Sequence, residues 1–235
     1  MTAVGRLSVI VPIGPGETEW PGLLALLQEA LPAGSEVIVV AAGSAMAAPA
    51  GWPDGLGWRS VGGDGGRARQ LNDGVLLAAG EWVWFLHADT RFGAEAVPAL
   101  MRFVARGEAA LGWFDLSFRP GGPAGMWLNA WGANWRSAWL GMPFGDQGFV
   151  LPKRCLVTLG GFDETARYGE DHLLAWSARR AGMPLRRVGA FVSTSARKYR
   201  RDGWAMTTGR HVWLTAVQAW PQWRRMRSGS MERDK

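Results

Sequence analysis

The chain has 235 residues, of which 48% are hydrophobic, and this is enough for one large domain with an ordinary core. Its single cysteine, Cys155, excludes an internal disulfide and a thiolate metal cluster, as expected in a reducing compartment. No apolar run is long enough for a transmembrane helix, and the net charge of +6 favours anionic partners. Nucleic-acid binding is disfavoured because the basic residues are scattered and no known nucleic-acid module is present.

The N-terminal part predicts a strand, a helix and a second strand. Residues 7–11 are apolar and β-branched and end at Pro12, as in a buried strand. Leucines recur with helical spacing over 19–31, and a second buried strand follows over 36–40. This order is a βαβ unit, which begins a doubly wound, mainly parallel sheet.

The fourth predicted strand ends in polar residues. A short strand is predicted near 58–61, then a helix over 67–79 that Gly80 ends as a C′ glycine, and then an apolar strand over 82–86. Polar residues at the carboxyl end of a buried parallel strand lie where open α/β sheets bind ligands. Asp89 can therefore hold a divalent cation against a diphosphate, although such an Asp often only caps the next helix or turn.

Basic residues accompany this strand. Gly65 and Gly66 open the 67–79 helix, whose N-terminus favours a phosphate, and Arg67 and Arg69 add positive charge. Arg197 and Lys198 follow the last predicted strand and are placed to close over a diphosphate. A solvated basic surface is the alternative for both pairs.

The later elements are predicted as helices over 94–106, 126–140, 153–159, 170–181 and 204–226, the last broken at Pro221, and strands over 111–118, 149–151 and 185–192. Trp127, Trp131, Trp135 and Trp139 share one helix face. We expect these four to pack in the core, with an acceptor-binding or membrane-facing wall as the alternative.

Three stretches together resemble inverting glycosyltransferase family 2 on a GT-A fold: Asn72-x-Gly74, Ala79-Gly80-Glu81 and Phe85-Leu86-His87-Ala88-Asp89. In that family a strand ends in Asp-x-Asp and the last Asp binds the metal; here His87 replaces the first Asp. With Gly66–Gln70 and Gly145-Asp146-Gln147-Gly148, the pattern resembles the bacterial transferases associated with radical-SAM and selenodomain proteins. The resemblance covers residues 7–213.

The resemblance implies an α/β GT-A domain over 1–203, with a mixed, mainly parallel central sheet flanked by helices. It implies metal-dependent, inverting transfer of a sugar from a nucleotide-sugar donor to a hydroxyl acceptor, a lipid or another small compound. Asp89 would hold Mg²⁺ or Mn²⁺, and His87 would be a second ligand or contact the nucleotide; a histidine hydrogen-bonded at a strand end is the alternative. The residues implied at the donor site are Glu17, Arg67, Gln70, Asn72, His87 and Asp89.

An acidic pair, Glu170-Asp171, opens the 170–181 helix. In the family an acidic residue here is the general base; Asp171 matches that position best and Glu170 is its neighbour. Inverting transfer requires such a carboxylate on the acceptor side, although an acidic pair at a helix N-terminus also complements the macrodipole. The residues implied on the acceptor side are Asp146, Gln147 and Gly161.

Two departures from the family concern the donor. After the first strand Glu17 is kept but the preceding Asn is lost, and after the second strand Ala41-Ala42-Gly43-Ser44 replaces a base-recognising Asp. The alternative function is therefore a non-catalytic GT-A-like binding or membrane-associated protein that has lost its donor site.

The C-terminal part combines tryptophans with arginines. We expect residues 204–227 to pack on the domain or to lie on an anionic bilayer, and residues 228–235 to be disordered. The protein is expected to be cytoplasmic, with peripheral contact to the inner face of the membrane through this helix.

Overall fold

The computed structural model describes residues 6–63, 65–166 and 168–231. Its strands are β1 Leu7–Ile13, β2 Glu36–Ala42, β3 Gly57–Gly63, β4 Trp82–Phe85, β5 Arg91–Phe92, β6 Leu111–Phe118, β7 Val150–Pro152 and β8 Leu185–Thr194. Its helices are α1 Trp20–Ala30, α2 Gly66–Leu77, α3 Ala96–Ala105, α4 Met126–Leu140, α5 Lys153–Thr158, α6 Glu170–Arg180, α7 Arg197–Asp202 and α8 Trp204–Met231, with a 3-10 turn at Gly145–Gln147.

The strands form one mixed sheet in the order β3-β2-β1-β4-β7-β6-β8-β5. β3, β2, β1 and β4 are parallel, β7 runs antiparallel between β4 and β6, and β8 is parallel to β6. The two-residue strand β5, which the sequence did not indicate, pairs antiparallel with β8. This confirms the predicted α/β fold with a mainly parallel central sheet flanked by helices.

Helices bury both faces of the sheet. In β1, Val9 and Val11 belong to a core cluster that includes leucines of α1, whereas Ile10 belongs to a second cluster with Leu71 of α2. Since both faces are covered, the central strands are continuous apolar runs rather than alternating ones. This is why β1, β2 and β4 were recognisable from sequence.

Gly80 does not end α2 as a C′ glycine, so that prediction is wrong. The helix ends at Leu77, and Ala78 caps it in an extended conformation. Gly80 instead permits a close approach, because a Cβ there would lie 2.5 Å from Ser8 Oγ and 2.6 Å from the Arg6 carbonyl oxygen. Its N–H donates to Ser8 Oγ at 2.8 Å, which fixes the chain as it enters β4.

The core packing predicted for the four tryptophans of α4 is also wrong. Trp127, Trp131, Trp135 and Trp139 are 67%, 64%, 46% and 77% exposed. Met126 and Ser137 are the buried residues of α4, and the Asn134 side chain exchanges two hydrogen bonds with the Leu116 backbone of β6. A helix held to the sheet in this way presents the tryptophan face to solvent.

The C-terminal helix packs on the domain and runs further than predicted. α8 continues through Pro221 without a break, at the loss of one backbone hydrogen bond. Asn129 of α4 donates to Thr208 at 2.9 Å and accepts from Trp204 Nε1 at 2.7 Å. Of the tail expected to be disordered, residues 228–231 continue α8, and 232–235 lie outside the described residues. Among the described helices, none has the length and hydropathy needed to cross a bilayer.

Candidate active site

A cavity of about 660 Å³ lies beyond the carboxyl ends of β1 and β4. The loop after β1, the first turns of α2, the segment after β4 and the segment after β8 form its walls. Its charged lining residues are Glu17, Asp89, Asp146, Arg67, Arg197, Lys198 and Arg201. Both the volume and the location are those of a ligand site in an open α/β sheet.

Asp89 is held in place at one wall of this cavity. Its Oδ2 accepts hydrogen bonds from Thr194 Oγ1 at 3.0 Å and from the Ser195 N–H at 3.2 Å. Within the described ranges, no group of three or more His, Cys, Asp or Glu side chains is arranged to hold a metal ion. A Mg²⁺-type site needs only one or two carboxylates when substrate phosphates and water complete it. Asp89 therefore fits an ion that a bound diphosphate would help to coordinate.

His87 lies against Arg67. The Arg67 Nη1 is 3.4 Å from His87 Nδ1, and Nη2 contacts Nε2. Burial, and secondly the charge of Arg67, hold the pKa of His87 well below its usual value. The ring is thus neutral, but both of its nitrogens face a guanidinium, so His87 would reach a metal only if Arg67 moved. Arg67 Nε also forms an ion pair with Glu170 Oε1 at 3.2 Å.

Glu17 and Arg197 join the two sides of the cavity mouth. Arg197 Nη1 donates to Glu17 Oε1 at 3.1 Å, and Nη2 contacts Oε2. The hydrogen bond from Arg197 is the main reason that the pKa of Glu17 is lowered. The loop after β1 is thereby tied to α7.

Gln70 lines the cavity, but its side-chain amide donates hydrogen bonds to the backbone of two strands. Nε2 donates to the carbonyl oxygens of Ile13 at 3.1 Å and Val40 at 3.0 Å. Gln70 therefore ties together the ends of β1 and β2 beneath the site.

Asp146 is the acidic residue of the cavity with a free buried oxygen. Its Oδ1 is buried and has no hydrogen-bond partner among the described residues. Burial raises the pKa of Asp146 to about 6; the positive charge of Arg136 opposes this rise and the negative charge of Asp171 adds to it. A carboxylate with this proton affinity is suited to exchange a proton near neutral pH.

The acidic pair of α6 does not line the cavity. Asp171 Oδ2 accepts from the Gly145 N–H at 2.7 Å, and Oδ1 accepts from the His172 N–H at 2.7 Å. Glu170 is buried, and this burial, followed by repulsion from Asp171, raises its pKa. The structure therefore places Asp171 behind the turn that carries Asp146, and not at the cavity where a general base was expected.

Asn72 and Gly161 also lie outside the cavity. Asn72 Nδ2 donates to the Phe162 carbonyl oxygen at 2.9 Å, and Oδ1 accepts from the Phe162 N–H at 2.9 Å. A Cβ at Gly161 would lie 2.8 Å from Asn72 Oδ1. The two residues lie where the 161–164 turn is fastened to α2, and the roles predicted for them at the donor and acceptor sides stay predictions.

Gln147, which the resemblance placed on the acceptor side, is fully buried and does not line the cavity. Its Oε1 accepts from Ser137 Oγ at 2.6 Å and from the Phe144 N–H at 3.1 Å. Its Nε2 donates to the Phe114 carbonyl oxygen at 3.1 Å and to Asn134 Oδ1 at 3.4 Å. Gln147 thus connects β6, α4 and the turn of Asp146.

We expect Gln147→Ala to lower the free energy of unfolding by about 2–4 kcal/mol, because several buried polar groups lose their partner. Urea denaturation followed by circular dichroism measures this change. Gln28→Ala, at a half-buried position of α1, is the control and should cost less than about 1 kcal/mol. Equal losses in the two variants would show that the Gln147 network contributes no special stability.

Two residues that line the cavity were not predicted from the sequence, because neither belongs to a recognisable motif. Arg201 of α7 and His211 of α8 line the cavity, and His211 Nδ1 is 3.1 Å from the Tyr199 hydroxyl. The basic run after β8 was a partial signal for α7. Nothing in the local sequence of α8 indicated that its first turns reach the site.

Comparisons with known proteins agree with this geometry. The model of "Glycosyl transferase family 2" matches residues 56–153, which include Arg67, His87, Asp89 and Asp146. The match and the fold support a glycosyltransferase. No curated protein matches the chain by sequence.

Two solved structures share the GT-A fold. The mannosyltransferase PcManGT from Pyrobaculum calidifontis, in complex with GDP-Man and Mn²⁺, is 21% identical with a TM-score of 0.61, over 82% of this chain and 57% of that one. TarS 1-349 from S. aureus, in complex with UDP-GlcNAc, is 19% identical with a TM-score of 0.62, over 81% of this chain and 58% of that one. The chain thus spans less than two thirds of the length of these structures.

Proposed function

We propose that the protein is a metal-dependent, inverting glycosyltransferase that moves a sugar from a nucleotide-sugar donor to a hydroxyl acceptor. The observation that carries the proposal is the Asp89 carboxylate, held by the end of β8 in a cavity that also presents Arg67, Arg197 and Lys198. The GDP-Man and Mn²⁺ of the PcManGT structure and the UDP-GlcNAc of the TarS structure support this class of donor.

The donor side is built for a diphosphate. Arg67 lies in the first turn of α2, where the helix N-terminus adds to its positive charge, and Arg197 and Lys198 lie across the cavity. Asp89 would hold Mg²⁺ or Mn²⁺, and a bound divalent ion supplies neutralisation of the leaving diphosphate. Ala41–Ser44 do not contribute to the cavity wall, so the segment that departs from the family pattern gives no indication of the base.

The acceptor side requires a base. In inverting transfer the acceptor oxygen bonds to the anomeric carbon as the bond to the diphosphate breaks, and the hydroxyl proton passes to a carboxylate. We assign that role to Asp146, because it lines the cavity and its pKa, raised by burial to about 6, suits proton exchange near neutral pH. Asp171 is then a positioning residue, since both of its oxygens accept backbone hydrogen bonds and one of them fastens Gly145.

The acceptor is proposed to be a lipid or another small hydroxyl compound. Peripheral contact of α8 with the inner face of the membrane would suit a lipid. The resemblance to the transferases associated with radical-SAM and selenodomain proteins stays a prediction.

A screen of nucleotide sugars tests the proposal. With Mn²⁺ present, one among the UDP, GDP, CDP and dTDP sugars should raise the melting temperature by about 5–10 °C at a hundredfold excess over Kd. EDTA should remove most of this shift. The absence of a shift with every donor would contradict the proposal and favour a GT-A-like binding protein without a donor site.

A further inference from the structure

Helix α4 presents an apolar surface to solvent. Its exposed large side chains are Trp127, Leu128, Trp131, Trp135, Trp139 and Leu140. Arg136 is the charged residue of this helix, and it turns inward: Nε donates to the Met142 carbonyl oxygen at 2.9 Å, and the guanidinium lies 3.8 Å from the centre of the Phe144 ring. A face of this kind is uncommon on a monomeric protein and marks an interaction site.

Helix α8 lies beside α4 and also exposes apolar side chains. It is joined to α4 by the hydrogen bonds of Asn129 with Thr208 and Trp204. Of the 16 large hydrophobic side chains exposed among the described residues, six lie on α4 and six on α8. The exposed apolar side chains of the described chain are therefore concentrated on two adjoining helices.

The positive charge of the chain is concentrated beside them. Residues 197–225 contain seven Arg and Lys residues and one Asp, a net charge of +6, which equals that of the whole chain. The remaining 19 basic and 19 acidic residues cancel. Of these residues, Arg197, Lys198 and Arg201 line the cavity, whereas Arg210, Arg224 and Arg225 are exposed on α8. A surface that joins tryptophans to these arginines of α8 is complementary to an apolar layer beneath anionic groups.

We propose that α4 and α8 form a docking surface for an anionic lipid bilayer. Tryptophan prefers the boundary between headgroups and acyl chains, where its ring is buried and its N–H remains hydrated, and arginines pair with lipid phosphates. A second copy of the chain fits this surface less well, because it would bring two concentrations of positive charge together.

The docking surface borders the active-site cavity. α7 and α8 contribute Lys198, Arg201 and His211 to the cavity lining. Docking would therefore bring a lipid-borne hydroxyl to the acceptor side, a consequence that rests on the proposed function. The docking itself does not depend on that function.

Sedimentation of the full chain with vesicles tests the docking surface. We expect binding to phosphatidylcholine vesicles that contain phosphatidylglycerol, little binding to phosphatidylcholine alone, and release at high salt. Trp131→Gln with Trp135→Gln should reduce partitioning about tenfold or more, because two exposed rings no longer enter the bilayer. Leu76→Gln with Val157→Gln, exposed positions on α2 and α5, is the matched control and should bind as the unmodified protein does.

Equal binding by both double variants, or no binding to anionic vesicles, would overturn the proposal. A dimer seen by light scattering that the tryptophan variant abolishes, without vesicle binding, would overturn it in favour of a second copy on this face. The tryptophan variant should keep the thermal shift of the identified donor. If no donor is found in the screen, vesicle binding still stands or fails by itself.

Discussion

Replacing Asp89 by asparagine is expected to weaken binding of the donor's nucleoside diphosphate in the presence of Mn²⁺ by about a hundredfold or more. The substitution removes the charge that would hold the ion but keeps an oxygen able to accept from Thr194 and Ser195. The fold should therefore persist, with a melting temperature close to that of the unmodified protein. Isothermal titration calorimetry with and without Mn²⁺ measures the effect.

Two controls define this result. Asp54→Asn changes an exposed carboxylate in the loop before β3, and it should leave binding unaltered. Omitting the metal should weaken binding to the unmodified protein but have little further effect on Asp89→Asn. Undiminished Mn²⁺-dependent binding in Asp89→Asn would remove Asp89 from the metal site and with it the main support for the proposed chemistry.

Replacing Asp146 by asparagine is expected to lower the transfer rate about 10²–10⁴-fold while the donor affinity changes little. The amide cannot take the proton of the acceptor hydroxyl, but it is nearly the same size as the carboxylate. Single-turnover kinetics, combined with calorimetric donor binding, separate the two effects. A fully active Asp146→Asn protein would show that the base is another group.

The pH profile distinguishes a base from a residue that positions it. Because the pKa of Asp146 is raised to about 6, transfer by the unmodified protein should fall as the pH drops through that value. Asp171→Asn removes a negative charge that raises this pKa, so the acidic limb should move to lower pH while activity is partly retained. An inactive Asp171→Asn protein beside an active Asp146→Asn protein would restore Asp171 as the base.

The parts of the site that adjoin buried strands were predictable from sequence. Glu17 follows β1 and Asp89 follows β4, and both strands are continuous apolar runs that end abruptly. Since the carboxyl ends of neighbouring parallel strands meet at one edge of the sheet, such residues converge on one cavity. Arg67 lines the same cavity and was also predictable, because two glycines mark the start of the helix whose first turn contains it.

Three of the predicted site residues have side chains whose hydrogen-bond partners are distant in sequence. Asn72 turns to Phe162, Gln147 to Phe114, and Asp171 to Gly145, and each of these contacts joins different elements. A motif shows that a polar side chain is present but not which neighbour takes its hydrogen bonds. The tertiary structure decided that these three side chains bind backbone groups of neighbouring segments and do not line the cavity.

For the α4 tryptophans, too, the sequence determined one property and the tertiary structure another. Their spacing of four residues determined that they share one helix face, because that is a property of helical geometry alone. Their exposure was decided by the packing of α4 on the domain, which buries Met126 and Ser137 and joins Asn134 to Leu116 of β6. By itself, therefore, the sequence determined the order of the elements, the GT-A sheet and the residues at its strand ends. Only the tertiary structure decided that Asp146 rather than Asp171 lines the cavity and that the tryptophan face of α4 is exposed. Both outcomes depend on contacts between segments far apart in the chain.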